Sequence, residues 1–129
     1  SLGKNLLLVK DIMTSGKKIP TIDKNKTIGD AAKVISVKKL GLVLVMKKNK
    51  LISIATDGDC RRGLAKFSKN DKIEKIATRN PFKIDENTTA YKALSVMNQK
   101  KITSLIVSSS SGKIKGICHI HHLLTHGIK

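Results

Sequence analysis

Thr56-Asp57-Gly58-Asp59 is the stretch whose residue types and spacing can most readily do chemistry, because it ends an apolar run and leads straight into Arg61 and Arg62. A Thr and an Asp three residues apart suit the start of a helix: the hydroxyl accepts from a backbone N–H and the acid lies in the positive first turn. The same stretch can also hold a ligand. A helix N-terminus offers free N–H groups to an anion, Gly58 permits close approach, and an Asp accepts hydrogen bonds from paired sugar hydroxyls. Arg61 and Arg62 are placed to reach a phosphate or carboxylate. The chain supplies its own control, since Thr27-Ile28-Gly29-Asp30 has the same spacing and reads as an ordinary cap. Bare spacing therefore leaves cap and ligand site both open.

His119, His121 and His122 form the second cluster, with His126 four residues beyond His122 on the same helical face. Such spacing suits zinc or nickel, but no acid lies near enough in sequence to complete the coordination. The cluster reads as surface or ligand-pocket imidazoles, and no metal is expected. Ser108 to Gly112 reads as a hairpin turn without the Gly and Lys spacing of a phosphate-binding loop. No nucleophile elbow, triad spacing or paired carboxylates appear. No catalytic residue is assigned, and these residues favour a binding module over an enzyme.

The elements that must carry these groups come from an internal repeat. Ile22 to Val45 lies over Ile84 to Val107 at an offset of 62, which becomes 63 past the next turn. Each copy opens with a short extended piece, Lys18 to Asp23 or Pro81 to Asp85. An amphipathic helix follows, its apolar positions at Ile28, Ala31, Ala32 and Ile35 or at Ala90, Ala93, Leu94 and Met97, with Thr27 and Thr89 as N-caps. Two apolar β runs joined by a hairpin turn come next, then a closing helix near Asp57 or Ile120. The segment Ser68 to Asn80 reads as a connecting helix begun by Ser68 or Asn70. The unit is β-α-β-β-α, twice: an α/β (α+β) architecture in which two half-sheets bury their apolar faces with pseudo-twofold symmetry.

At 129 residues the chain suits one globular domain with a real core. No apolar run approaches the roughly 20 residues of a membrane span. The chain opens on Ser rather than Met, which reads as a piece of something longer. Cys60 and Cys118 give no disulfide framework, as expected of a reducing cytosol. The formal charge of +17 invites a nucleic-acid reading. Against it, the basic residues are mostly scattered lysines, arginine occurs only at 61, 62 and 79, and aromatic stacking platforms are missing. A positive field still favours anionic ligands or an acidic partner face. The rival reading, a basic module binding nucleic acid or an acidic protein surface, rests on that charge alone.

The repeated unit resembles a tandem cystathionine β-synthase (CBS) pair, or Bateman module. "VKDIMTSGKKIP", "TDGDCRRGL", "KKITSLIV" and "GICHIHHLLTHGI" further resemble the C-terminal half of bacterial arabinose-5-phosphate isomerases. The resemblance divides the chain into a remnant of the linker from a sugar-isomerase (SIS) domain at 1–8, a first CBS motif at 9–67 and a second at 68–129. It implies a parent enzyme interconverting D-ribulose 5-phosphate and D-arabinose 5-phosphate, in the cytoplasm, on the route to Kdo and lipopolysaccharide, with its active site outside this chain. It implies partners too: the SIS domain of the same parent chain, a second copy in a homodimer or larger oligomer, and a small anionic ligand. No cofactor is required; CMP-Kdo or an adenine nucleotide is the expected regulatory ligand. Carried over by position, Thr56, Asp57 and Asp59 become polar contacts of a first cleft. Ile19, Pro20 and Thr21 become its wall against the base, and Arg61 and Arg62 its anion contacts. Lys83, His119 and His122 fall at the second cleft, where His119 stands for Thr56 and His122 for Asp59. Imidazoles cannot copy a carboxylate's grip on two hydroxyls, so the clefts are expected to be unequal.

Overall fold

Both repeats form the same elements for the same local reasons. The computed structural model describes residues 6–129, so residues 1–5 of the expected linker remnant lie outside the described residues. Helix α1, Val9–Ile12, and a 3-10 turn at Gly16–Lys18 precede the first repeat. The repeat itself runs β1 Thr21–Asp23, α2 Ile28–Lys38, β2 Leu42–Lys47, β3 Lys50–Thr56 and α3 Asp57–Lys66. After β4 at Thr78–Arg79, the second repeat runs β5 Lys83–Asp85, α4 Ala90–Lys100, β6 Ser104–Ser108, β7 Ile114–His119 and α5 Ile120–Thr125. The opening strands are shorter than the extended pieces expected, because Lys18 is held in the 3-10 turn and pairing starts only at Thr21 and Lys83.

Thr27 caps α2 by accepting from the Asp30 N–H, and Thr89 caps α4 by accepting from the Lys92 N–H, both at 3.1 Å. The two helices end on lysines at positive φ, Lys39 at 61° and Lys101 at 57°. In each repeat the first strand pairs in parallel with the second, and the second pairs antiparallel with the third. Lys48 and Asn49 make the β2–β3 hairpin at φ 47° and 67°, the positive pair that a two-residue type I′ turn demands. Ser109 to Gly112 turn the β6–β7 hairpin, closed by the Ser109 N–H on the Lys113 carbonyl at 2.8 Å.

Ser68 to Asn80 is not the connecting helix that its sequence suggests. It forms a 3-10 turn at Ile73–Lys75 and then β4, which pairs with the edge of β3. The reason lies elsewhere in the chain. The Lys69 and Asp71 carbonyls accept from the Gly29 and Ile28 N–H groups at 2.9 Å, supplying the orphan donors at the start of α2, and the Ile73 N–H donates to Lys26. With its N–H given to Lys26, Ile73 cannot donate to the Lys69 carbonyl four residues back, so the α-helical ladder fails at that step.

Two compact units result: Ile19–Pro81, and residues 6–18 together with Phe82–Lys129. The cores occupy equivalent positions of the repeat. Ile22, Ala31, Ile35, Val43, Val45, Ala55 and Cys60 cluster in the first unit. Ile84, Ala93, Met97, Leu105, Val107, Cys118 and Leu123 do so in the second. Residues 7–14 fold onto the second unit. Leu7 accepts from the Ala90 N–H, Val9 donates to Thr88, and Thr14 exchanges backbone hydrogen bonds with Ile117. Gly116 permits that approach, since a Cβ there would strike the Thr14 carbonyl. Among the described residues no helix is long and apolar enough to cross a membrane.

Candidate functional site

Strand register brings the two parts of the first candidate site to one end of one sheet. Thr21 pairs with Leu44, and Leu42 with Thr56, so Ile19–Thr21 and Thr56–Asp59 flank the opening residues of β2. The Pro20 carbonyl accepts from Leu44 at 2.8 Å, and the Gly41 carbonyl from Asp57 at 3.0 Å, which fixes both approaches. Two strand spacings, about 10 Å, lie between them. Pro20 is buried, Ile19 half-buried and Thr21 exposed.

Thr56 and Asp59 close a reciprocal cap. The Thr56 hydroxyl accepts from the Asp59 N–H and Asp59 Oδ2 accepts from the Thr56 N–H, both at 3.0 Å. Thr27 and Asp30 do the same at 3.1 and 3.0 Å. Capping thus accounts for the spacing at both places. The difference lies in the arginines: Arg62 Nη2 donates to Asp59 Oδ1 at 2.8 Å, and Arg61 Nη1 to Asp57 Oδ2 at 3.0 Å. Arg62 folds back over Gly58, where a Cβ would come within 3.0 Å of its Nη1. The outcome is a carboxylate able to accept hydroxyls beside two exposed guanidinium forks able to bind an anion. Beneath it, burial, then Asp59 and Asp57, push the Cys60 thiol up to about 11. It stays a neutral packing residue.

The second unit repeats the layout with different chemistry. Lys83 pairs with Ile106 and Ser104 with His119, while Ile120 donates to the Thr103 carbonyl at 2.8 Å. His119 and His122 therefore stand where Thr56 and Asp59 stand. They cap α5 through ring nitrogens: His119 Nδ1 accepts from His121 at 3.1 Å and His122 Nδ1 accepts from His119 at 3.0 Å. Burial, then the neighbouring histidines, lowers the pKa of both rings. With Nδ1 engaged, the remaining ring edges are Nε2–H donors, the opposite polarity to a carboxylate. Lys83 is exposed at the start of β5. Sequence reasoning passed over Phe82, which sits at the Pro20 position of the second copy, is 46% exposed and carries Lys100 Nζ 4.2 Å from its ring centroid. The 62-residue offset was the signal that could have found it. Among the described residues no three His, Cys, Asp or Glu side chains gather as a metal site.

Comparison with known proteins places this geometry in context. The family described as CBS domain matches residues 9–66 and 73–129. Arabinose 5-phosphate isomerase KdsD of Francisella tularensis is 38% identical over 96% of this chain and 39% of its own length. Its namesake in Yersinia pestis is 35% identical over 99% of this chain and 40% of its own length. The chain thus spans about 40% of the curated relatives it matches. Among solved structures, the CBS domain pair of protein MJ0100, in complex with 5-methylthioadenosine and S-adenosyl-L-methionine, superposes with TM-score 0.80 at 25% identity, over 93% of this chain and 94% of that one. An uncharacterized conserved protein from Pyrococcus horikoshii superposes with TM-score 0.83 at 22% identity, over 97% and 95% of the two chains.

Proposed function

The chain belongs to the CBS domain family as a tandem pair, and we propose that this pair is the ligand-sensing module of an arabinose-5-phosphate isomerase. The observation that carries the reading is similarity to such isomerases along nearly the whole chain, at 38% and 35% identity. The catalytic SIS domain, which interconverts D-ribulose 5-phosphate and D-arabinose 5-phosphate for Kdo and lipopolysaccharide synthesis, belongs to the remainder of the parent protein. The parent works in the cytoplasm as a homodimer or larger homo-oligomer.

The ligand is a nucleotide or sugar nucleotide. Support comes from the adenine nucleosides bound to the CBS pair of MJ0100 and from the chemistry of the first unit. There Asp59 accepts ribose hydroxyls, Thr56 and Asp57 line the same helix start, and Arg61 and Arg62 meet phosphate. Ile19, Pro20 and Thr21 form the wall against the base. In the second unit Lys83 and His119 present donors, with His122 beside them holding its Nε2–H on Thr14 Oγ1, and the set selects an anionic group without a ribose grip. CMP-Kdo, a pathway end product, is the specific candidate, with AMP or ATP the alternative. A ligand that prefers one arrangement of the paired repeats biases the attached catalytic domains by its differential affinity.

Titration calorimetry with CMP-Kdo, CMP, AMP and ATP tests this, beside a salt series with duplex DNA. The expected result is binding of one nucleotide class, weakened about ten- to a hundredfold in Asp59→Ala and also weakened in Arg62→Ala. Binding untouched by both substitutions sinks the site assignment. Steep salt-dependent DNA affinity with no nucleotide binding transfers the function to the basic-module reading.

A further inference from the structure

Two imidazoles, rather than a hydroxyl and a carboxylate, cap the start of α5. A backbone N–H can only donate, so the His119 Nδ1 that accepts from His121, and the His122 Nδ1 that accepts from His119, must each hold a lone pair. Each ring then carries its proton on Nε2. For His122 this makes Nε2–H the donor to Thr14 Oγ1, 3.3 Å away. His126, just past the other end of the helix, is wired in reverse. Its Nδ1 lies 2.8 Å from the His122 carbonyl, which can only accept, so Nδ1 bears the proton there. Protonation removes the role of the first two rings and leaves the third intact.

We propose that His119 and His122 form a proton-sensitive latch on the start of α5, in which proton uptake at either Nδ1 turns an acceptor into a donor facing a backbone donor and opens the first helical turn. This does not rest on nucleotide binding. The proton comes from solvent, and the only bond formed is Nδ1–H.

Among the described residues, no acid is bonded to either ring of the latch. His121 stacks on His119 with centroids 4.8 Å apart, and His122 meets the same ring edge-on at 6.1 Å. Of the elements packed against α5, α4 carries Tyr91, Lys92 and Lys100, and β7 carries Lys115 and Cys118. Helix α1, packed against β7, adds Lys10 and Asp11, and the Asp11 carboxylate is already engaged by the Leu8 N–H at 3.0 Å. Burial first, and then His121 and His122 for His119, or His126 and His121 for His122, hold both rings below the ordinary imidazole value of 6.5. A folded value below the unfolded one means the latch contributes fully above pH 6.5 and is lost as pH falls from there through the folded value. The equivalent cap in the first unit is made by a hydroxyl and a carboxylate, Thr56 and Asp59, and uses no imidazole.

Side-chain nitrogen NMR on the 129-residue chain, from about pH 8 to pH 5, reads each ring's tautomer and midpoint across the imidazole range. Expected are Nε2–H tautomers for His119 and His122, the Nδ1–H form for His126, and midpoints below 6.5 for the first two. Amide protection at His119 and His121, corrected for intrinsic exchange, should fall roughly fivefold per cap lost on acidification. H119T/H122D, which imports the first unit's cap, should abolish that fall. Nδ1–H tautomers at His119 or His122, or midpoints at or above 6.5, overturn the latch even if the double variant fails to fold. Equal pH dependence in variant and wild type overturns it as well.

Discussion

Arg62 Nη2 stands 2.8 Å from Asp59 Oδ1, and this ion pair is what separates Asp59 from Asp30, whose cap is otherwise the same. Arg62 is 73% exposed, so the pair adds at most about 1 kcal/mol of stability. It matters as an arrangement of donors and acceptor at one helix start.

Asp30→Ala and Asp59→Ala should each lower stability by about 1 kcal/mol for the lost reciprocal cap, with up to about 1 kcal/mol more at Asp59 for the Arg62 pair. They should differ in binding. Hydrogen bonds to a charged group are worth roughly 1.5–3 kcal/mol, so Asp59→Ala should weaken nucleotide binding about ten- to a hundredfold while Asp30→Ala leaves it alone. Urea melts and calorimetry on both variants check the two halves; equal loss of binding would refute the assignment of Asp59.

Gly63 faces Ile76, whose Cγ2 would lie 2.7 Å from a Cβ placed there. Gly63→Ala should overpack the first core by about 1–3 kcal/mol despite alanine's better helix propensity. Ile76→Leu, which removes the Cγ2 branch, should recover part of the loss in the Gly63→Ala background, as a thermal melt of the three variants would show.

Lys39 and Lys101 pay for closing their helices by adopting left-handed backbone at φ 61° and 57°. Glycine holds that conformation without a Cβ penalty, so Lys39→Gly and Lys101→Gly should each stabilise the chain by about 0.5–1 kcal/mol. Sitting in separate units, the two gains should add in the double variant.

Burial, joined at Cys60 by Asp59 and Asp57, raises the two thiols to about 11 and about 12, so neither forms appreciable thiolate near neutral pH. Thiol labelling at pH 8 should be slow in the folded chain and fast in denaturant. Cys118, the more strongly shifted, should lag behind Cys60.

Sequence alone determined the elements whose hydrogen bonds close within a few residues. Thr27, Thr56 and Thr89 cap helices through partners three positions away, and the apolar spacing of α2 and α4 names their buried faces. The 62-residue offset likewise carried the repeat into both cores, because equivalent positions meet equivalent neighbours. Tertiary structure decided what depended on distant partners. Residues 68–80 carry a helix-like pattern, yet their carbonyls are claimed by Ile28 and Gly29, some forty positions earlier. Residues 7–14 join the second unit because β7 offers Ile117 to Thr14. Nor could residue types show which ring nitrogen of His119 and His122 accepts. That choice follows from backbone donors whose direction exists only once β7 has turned into α5.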